Sequence, residues 1–128
     1  MPALLLVDHG SRRAEANENL SRAAVVVREQ APGLDVFVAH MELSMPDIAA
    51  AFDACAKAGH EEMVVFPWFL AEGRHVREDI PQLCKEASER TGIRYRIASP
   101  FGVDEQMAAV ALTRAGMLGL EDTREENE

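Results

Sequence analysis

Leu4-Leu5-Leu6-Val7-Asp8-His9-Gly10-Ser11 decides the fold class: four apolar residues run without alternation, then a carboxylate, an imidazole, a glycine and a hydroxyl follow at once. A strand with one face in water would alternate. An uninterrupted apolar strand is expected where helices cover both faces of a parallel sheet. Beyond it, Glu15 to Gln30 carries helical apolar spacing (Leu20, Ala23, Ala24, Val27) and stops before Pro32-Gly33. Val36 to Met41 reads as a second strand. Pro46 sits where a first helical turn tolerates it, and Ile48 to Ala58 continues to a helix-ending Gly59. Met63 to Phe69, interrupted by Pro67, is a third strand, and Val76 to Arg90 a third helix ending at Thr91-Gly92. Ile93 to Ala98 and Asp104 to Leu118 complete a fourth strand and helix. Strand and helix alternating four times imply an α/β domain, three-layered, with a four-stranded parallel sheet flanked by helices.

The chain of 128 residues fits one domain, expected over residues 1–119, with 120–128 an acidic, solvated tail. That tail, from Glu121, holds five acids against one base, so it carries −4 of the net −9. An acidic balance argues against a nucleic-acid partner, whose phosphates need a basic stripe. No apolar run approaches a membrane span, and the opening residues lack the basic flank of a signal peptide. A cytoplasmic protein is expected. Cys55 and Cys84 fall in helical segments and read as small packing residues. Cys84 and Arg90 have the Cys-x5-Arg spacing of a thiol phosphatase, but strong helix formers stand between them where an anion-binding glycine loop is needed.

In open parallel sheets ligands bind beyond the carboxyl ends of the strands. The residues there are Asp8, His9, Arg12 and Arg13 after the first strand, and His40 and Glu42 after the second. The third contributes Trp68 through His75, and the fourth Phe101. Two imidazoles on different loops would leave coordination positions open, as a metal-transfer site requires and a closed structural site does not. Each residue also has a plainer explanation. Histidines after strands often serve turns or caps, and His60, just after Gly59, fits that best. His40 shares strand parity with Glu42, so both could face the pocket. The arginines could be solvated helix-start residues.

Three blocks carry a resemblance: Leu5 to Arg12; Glu42 with Pro46; and Val64-Val65-Phe66-Pro67-Trp68-Phe69-Leu70-Ala71-Glu72-Gly73-Arg74-His75-Val76-Arg77-Glu78-Asp79-Ile80-Pro81. Together they resemble the small CbiX-type sirohydrochlorin cobaltochelatases and the related SirB-type ferrochelatases. The resemblance implies half of a class II chelatase fold, with His9 and His75 binding the incoming metal and His9 also accepting a proton. It implies that Glu42 and the stretch Leu70, Ala71, Glu72, Gly73, Arg74 and His75 line the tetrapyrrole site. Larger relatives carry two such halves, which implies a homodimer here. Two departures stand out. Asp8 replaces a small residue and could orient or charge His9, and Trp68 replaces an aliphatic residue and could narrow the pocket.

The reaction so implied inserts a divalent ion, Co2+ first and Fe2+ or Ni2+ as alternatives, into sirohydrochlorin without ATP. No tightly bound cofactor is expected, and there is no Gly-x4-Gly-Lys loop. Glu42 or Glu72 could share the pyrrole protons with an imidazole. Arg12, Arg13, Arg74 and Arg77 could hold the substrate's carboxylates. A metal or tetrapyrrole carrier is the non-catalytic alternative. A histidine phosphatase also places His-Gly after its first strand, but it needs an arginine before the histidine, where Asp8 would repel phosphate.

Overall fold

The first and third strands form the centre of a four-stranded sheet, flanked by the second and the fourth, with every neighbouring pair parallel. The computed structural model describes residues 1–118, as β1 (Ala3–Asp8), α1 (Ala14–Gln30), β2 (Val36–His40), α2 (Ile48–Lys57), β3 (Glu62–Pro67), a π turn (His75–Asp79), α3 (Ile80–Thr91), β4 (Arg94–Ile97) and α4 (Glu105–Arg114). The acidic segment from Glu121 and the boundary expected at Gly119 lie outside the described residues. Alternate side chains of β1 serve opposite faces. Ala3, Leu5 and Val7 join Phe52 of α2 and Ile80 and Cys84 of α3 in the larger core. Leu6 packs with Leu20 and Ala24 of α1 in the smaller one. This double burial is why the strand has no polar alternation. Among the described residues no helix is long and apolar enough to cross a membrane.

From β1 the chain steps outward to β2, then crosses back over β1 to β3. The strand order therefore reverses between β1 and β3, and the loops that follow these two strands part to leave a crevice. His9 follows β1, and His75 opens the π turn after β3.

The element order matches the sequence reading, and the boundaries differ in three instructive places. Asp47, not Pro46, starts α2: its carboxylate accepts the Ala50 N–H at 2.9 Å, which leaves Pro46 in the preceding turn. β3 ends at Pro67 instead of Phe69, because proline has no N–H to extend the ladder. The helix expected from Val76 is split. Residues His75–Asp79 form a π turn in which the Ile80 N–H donates to the His75 carbonyl, and α3 proper begins with Pro81 in its first turn. Proline crowds the carbonyl four residues back, here Arg77, and a widened turn relieves that clash. α4 starts on an Asp104 cap but ends at Arg114, four residues short of the expected Leu118, just before Gly116 at φ 74°, and it buries no residue.

Candidate active site

The two imidazoles meet. The His9 and His75 rings lie edge to face with centroids 4.8 Å apart. Glu42 completes the group, with Oε1 3.1 Å from His9 Nε2, and all of these side chains are about half exposed. Glu42 arrives there because β1 and β2 keep pairing past their ends. The Met41 N–H donates to the Asp8 carbonyl and the Glu42 N–H to the His9 carbonyl. Gly10 permits the approach: a Cβ on it would lie 1.9 Å from the Glu42 carbonyl oxygen.

The ring nitrogens are differentiated by their partners. His75 Nδ1 lies 2.7 Å from Asp79 Oδ2, one turn on. When Nδ1–H donates to that carboxylate, Nε2 keeps its lone pair for a metal. Asp79 was not singled out from the sequence, although an acid four residues after a histidine in a helix was the available signal. His9 Nδ1 sits 3.2 Å from the Gly10 carbonyl, which leaves Nε2 to face Glu42. That nitrogen can hold a proton against the Glu42 carboxylate or offer a lone pair outward. Among the described residues no group of three or more His, Cys, Asp or Glu side chains is arranged to hold an ion by itself.

Two expectations are corrected. Asp8 does not orient His9: its Oδ1 lies 2.6 Å from His40 Nδ1. His40 in turn does not share the pocket with Glu42, because it is 3% exposed and spent on this pair. Asp8 and His40 are register partners of the parallel ladder, so their side chains leave the same face of the sheet side by side. His60 lies outside the site and binds Asp35 at 2.6 Å.

The remaining candidates divide. Leu70, Ala71, Glu72, Gly73 and Arg74 form the exposed loop that leads to His75, tied to the loop after β4 through Gly102 N–H to the Leu70 carbonyl. Arg12, Arg13 and Arg77 are exposed, and Arg74 pairs with Glu78 at 3.2 Å. None of the four side chains makes a hydrogen bond to His9 or His75, and an exposed pair such as Arg74–Glu78 is weak enough to exchange for another carboxylate. Trp68 packs edge to face on Phe101 and Phe66, while Phe69 packs against the larger core. A cavity of about 300 Å³ opens between His9, Asp8, Asn17 and Trp68. Cys84 is fully buried, and burial pushes its thiol up to about 12, so it stays protonated and does no phosphatase chemistry.

Comparison with known proteins finds related chains and folds. A family model described as CbiX matches residues 3–117. A chloroplastic sirohydrochlorin ferrochelatase of Arabidopsis thaliana is 43% identical over 77% of this chain and 44% of its own length. A sirohydrochlorin cobaltochelatase of Sulfurisphaera tokodaii is 32% identical over 89% of this chain and 91% of its own. The solved sirohydrochlorin chelatase SirB of Bacillus subtilis subspecies spizizenii, in complex with cobalt, superposes with a TM-score of 0.79 at 28% identity, covering 90% of this chain and 51% of that one. The chain spans less than half the length of the first curated relatives it matches.

Proposed function

The chain belongs to the CbiX family, and we propose that it is a sirohydrochlorin chelatase, inserting Co2+, or alternatively Fe2+ or Ni2+, into the macrocycle. The observation that carries this reading is the convergence of His9 and His75 at the strand-order reversal, with Glu42 3.1 Å from His9. The substrate ion exchanges water for the His9 and His75 imidazoles, which suit all three metals. The macrocycle's pyrrole N–H protons pass to His9 Nε2 or Glu42 and on to solvent as the ring nitrogens replace the imidazoles. A site with few protein ligands lets the ion leave, so no nucleotide is needed to drive release. Leu70 to Arg74 would lie along the macrocycle, and Arg12, Arg13, Arg74 and Arg77 would pair with its carboxylates.

A homodimer and a cytoplasmic setting belong to the same reading. α4 leaves Val110 and Leu112 exposed for such a partner to cover. Both cysteines are free and buried, the usage expected in a reducing compartment.

Absorbance of sirohydrochlorin with each metal, with and without enzyme, tests the function. Multiple turnovers above the spontaneous rate are expected, with light scattering giving a dimer. Stoichiometric binding without turnover would instead make the protein a carrier. In the same assay Arg74→Ala/Arg77→Ala should raise KM for sirohydrochlorin about tenfold and flatten its salt dependence. An unaltered KM and salt response would remove the arginines from the binding site.

Asp79→Ala is expected to weaken Co2+ binding by roughly 10–100-fold, the usual cost of losing the carboxylate behind a ligating histidine. The melting temperature should shift little, since Asp79 is half exposed. A cobalt titration followed by visible absorbance reads this directly, and wild-type affinity in the variant would show that His75 needs no orienting partner.

A further inference from the structure

Leu43 carries two penalties that the fold does not repay. At φ 70° it is the one non-glycine residue with positive φ among the described residues. In that conformation the Cβ of an L-residue crowds the carbonyl that follows. The side chain is also 51% exposed, so burial does not offset the strain.

The surrounding backbone leaves residue 43 little choice. On one side the Met41 and Glu42 N–H groups are bound by the Asp8 and His9 carbonyls, and Gly10 lies against the Glu42 carbonyl. On the other, the Pro46 carbonyl accepts the His40 N–H at 2.8 Å. With both ends of the turn held, Leu43 absorbs the chain reversal one residue after Glu42. Met45 in the same turn is 67% exposed, and Leu70, on the loop that delivers His75, is 69% exposed. Large apolar side chains thus stand on the two loops that carry the proton acceptor and a metal ligand.

A strained, solvent-facing leucine beside a reactive carboxylate points to a ligand that covers it. Resting on the reading that the substrate is a flat macrocycle, we propose that Leu43 is a substrate-contact residue: the left-handed turn packs its isobutyl group on the apolar face of the tetrapyrrole while Glu42 reaches the central N–H groups. The residue contributes to macrocycle binding and has no part in holding the metal.

Leu43→Gly separates these roles because it removes the strain and the side chain together. Its melting temperature should rise by roughly 2–4 °C. KM for sirohydrochlorin should rise about tenfold, as expected when a half-exposed leucine is no longer covered. The KM for Co2+ should stay within about twofold of wild type. Leu43→Met, of similar volume, should restore sirohydrochlorin binding. Quenching of Trp68, the sole tryptophan, by metal-free sirohydrochlorin reads binding without turnover and should show the same tenfold loss.

If wild type turns over and Leu43→Gly has an unaltered KM and quenching curve, the Leu43 contact alone is overturned. If wild type inserts no metal, the functional reading fails, and the quenching comparison still decides the contact. A loss that vanishes as enzyme concentration rises would place Leu43 between copies of the chain and overturn the proposal. A lower melting temperature in Leu43→Gly would show that the turn stores no strain, removing the argument for it.

Discussion

His9→Ala is expected to lower metal insertion by roughly 10²–10⁴-fold, the range for losing a positioned proton-transfer group, and His75→Ala to lower it strongly, while both proteins stay folded. Both imidazoles are close to half exposed, so alanine leaves no core cavity and the melting temperature should move little. His75→Ala removes a metal ligand. His9→Ala removes a ligand and also the nitrogen that faces Glu42 at 3.1 Å. Steady-state insertion kinetics and thermal melts on the same preparations provide the check. His60→Ala is the control: that ring, just before the start of β3, is bound to Asp35, just before the start of β2, and activity should stay near wild type. An inactive His60→Ala beside an active His9→Ala would collapse the site assignment.

Gly10→Ala should be the most damaging small substitution. An added Cβ would lie 1.9 Å from the Glu42 carbonyl oxygen and 3.1 Å from the His40 Cβ, and no side-chain rotation relieves a clash with backbone. The residue also sits at φ +94°, which L-residues rarely adopt. A loss of about 3 kcal/mol or more is expected, or a fall in melting temperature of about 10 °C. Activity should fall further than stability explains, because the movement that admits the methyl separates Glu42 from His9. Gly33→Ala isolates the two causes. Gly33 has φ +89° but nothing within 4 Å, so only the conformational cost of about 1–2 kcal/mol applies. Chemical denaturation of both variants compares them, and Gly10→Ala no worse than Gly33→Ala would show that the close packing of the two loops is unimportant.

The alternation of elements was legible in the chain because its causes are local. Leu4 to Val7 is apolar throughout since both faces of β1 are covered, and Leu20 and Ala24 repeat at helical spacing since one face of α1 packs on the sheet. Where local preferences competed, boundaries differ by one to four residues or a helix is split. Pro46 yielded to the Asp47 cap, and Pro81 turned the start of the third helix into a π turn. His9 and His75 could be assigned to one rim because, in a parallel sheet, every strand ends on the same side.

Which atoms meet on that rim was decided only by tertiary structure. Asp8 precedes His9 in sequence, yet the β1–β2 register sets it beside His40, and a parallel register depends on how the crossover helix packs. Glu42 could be placed on the rim because it follows the second strand, but its 3.1 Å approach to His9 depends on ladder bonds continued past the strand ends and on the missing side chain of Gly10. The left-handed turn at Leu43 follows from the same closure. Residue order fixes periodicity and therefore the elements. Pairing between loops from different strands is a property of the packed sheet, and that pairing sets the chemistry of the site.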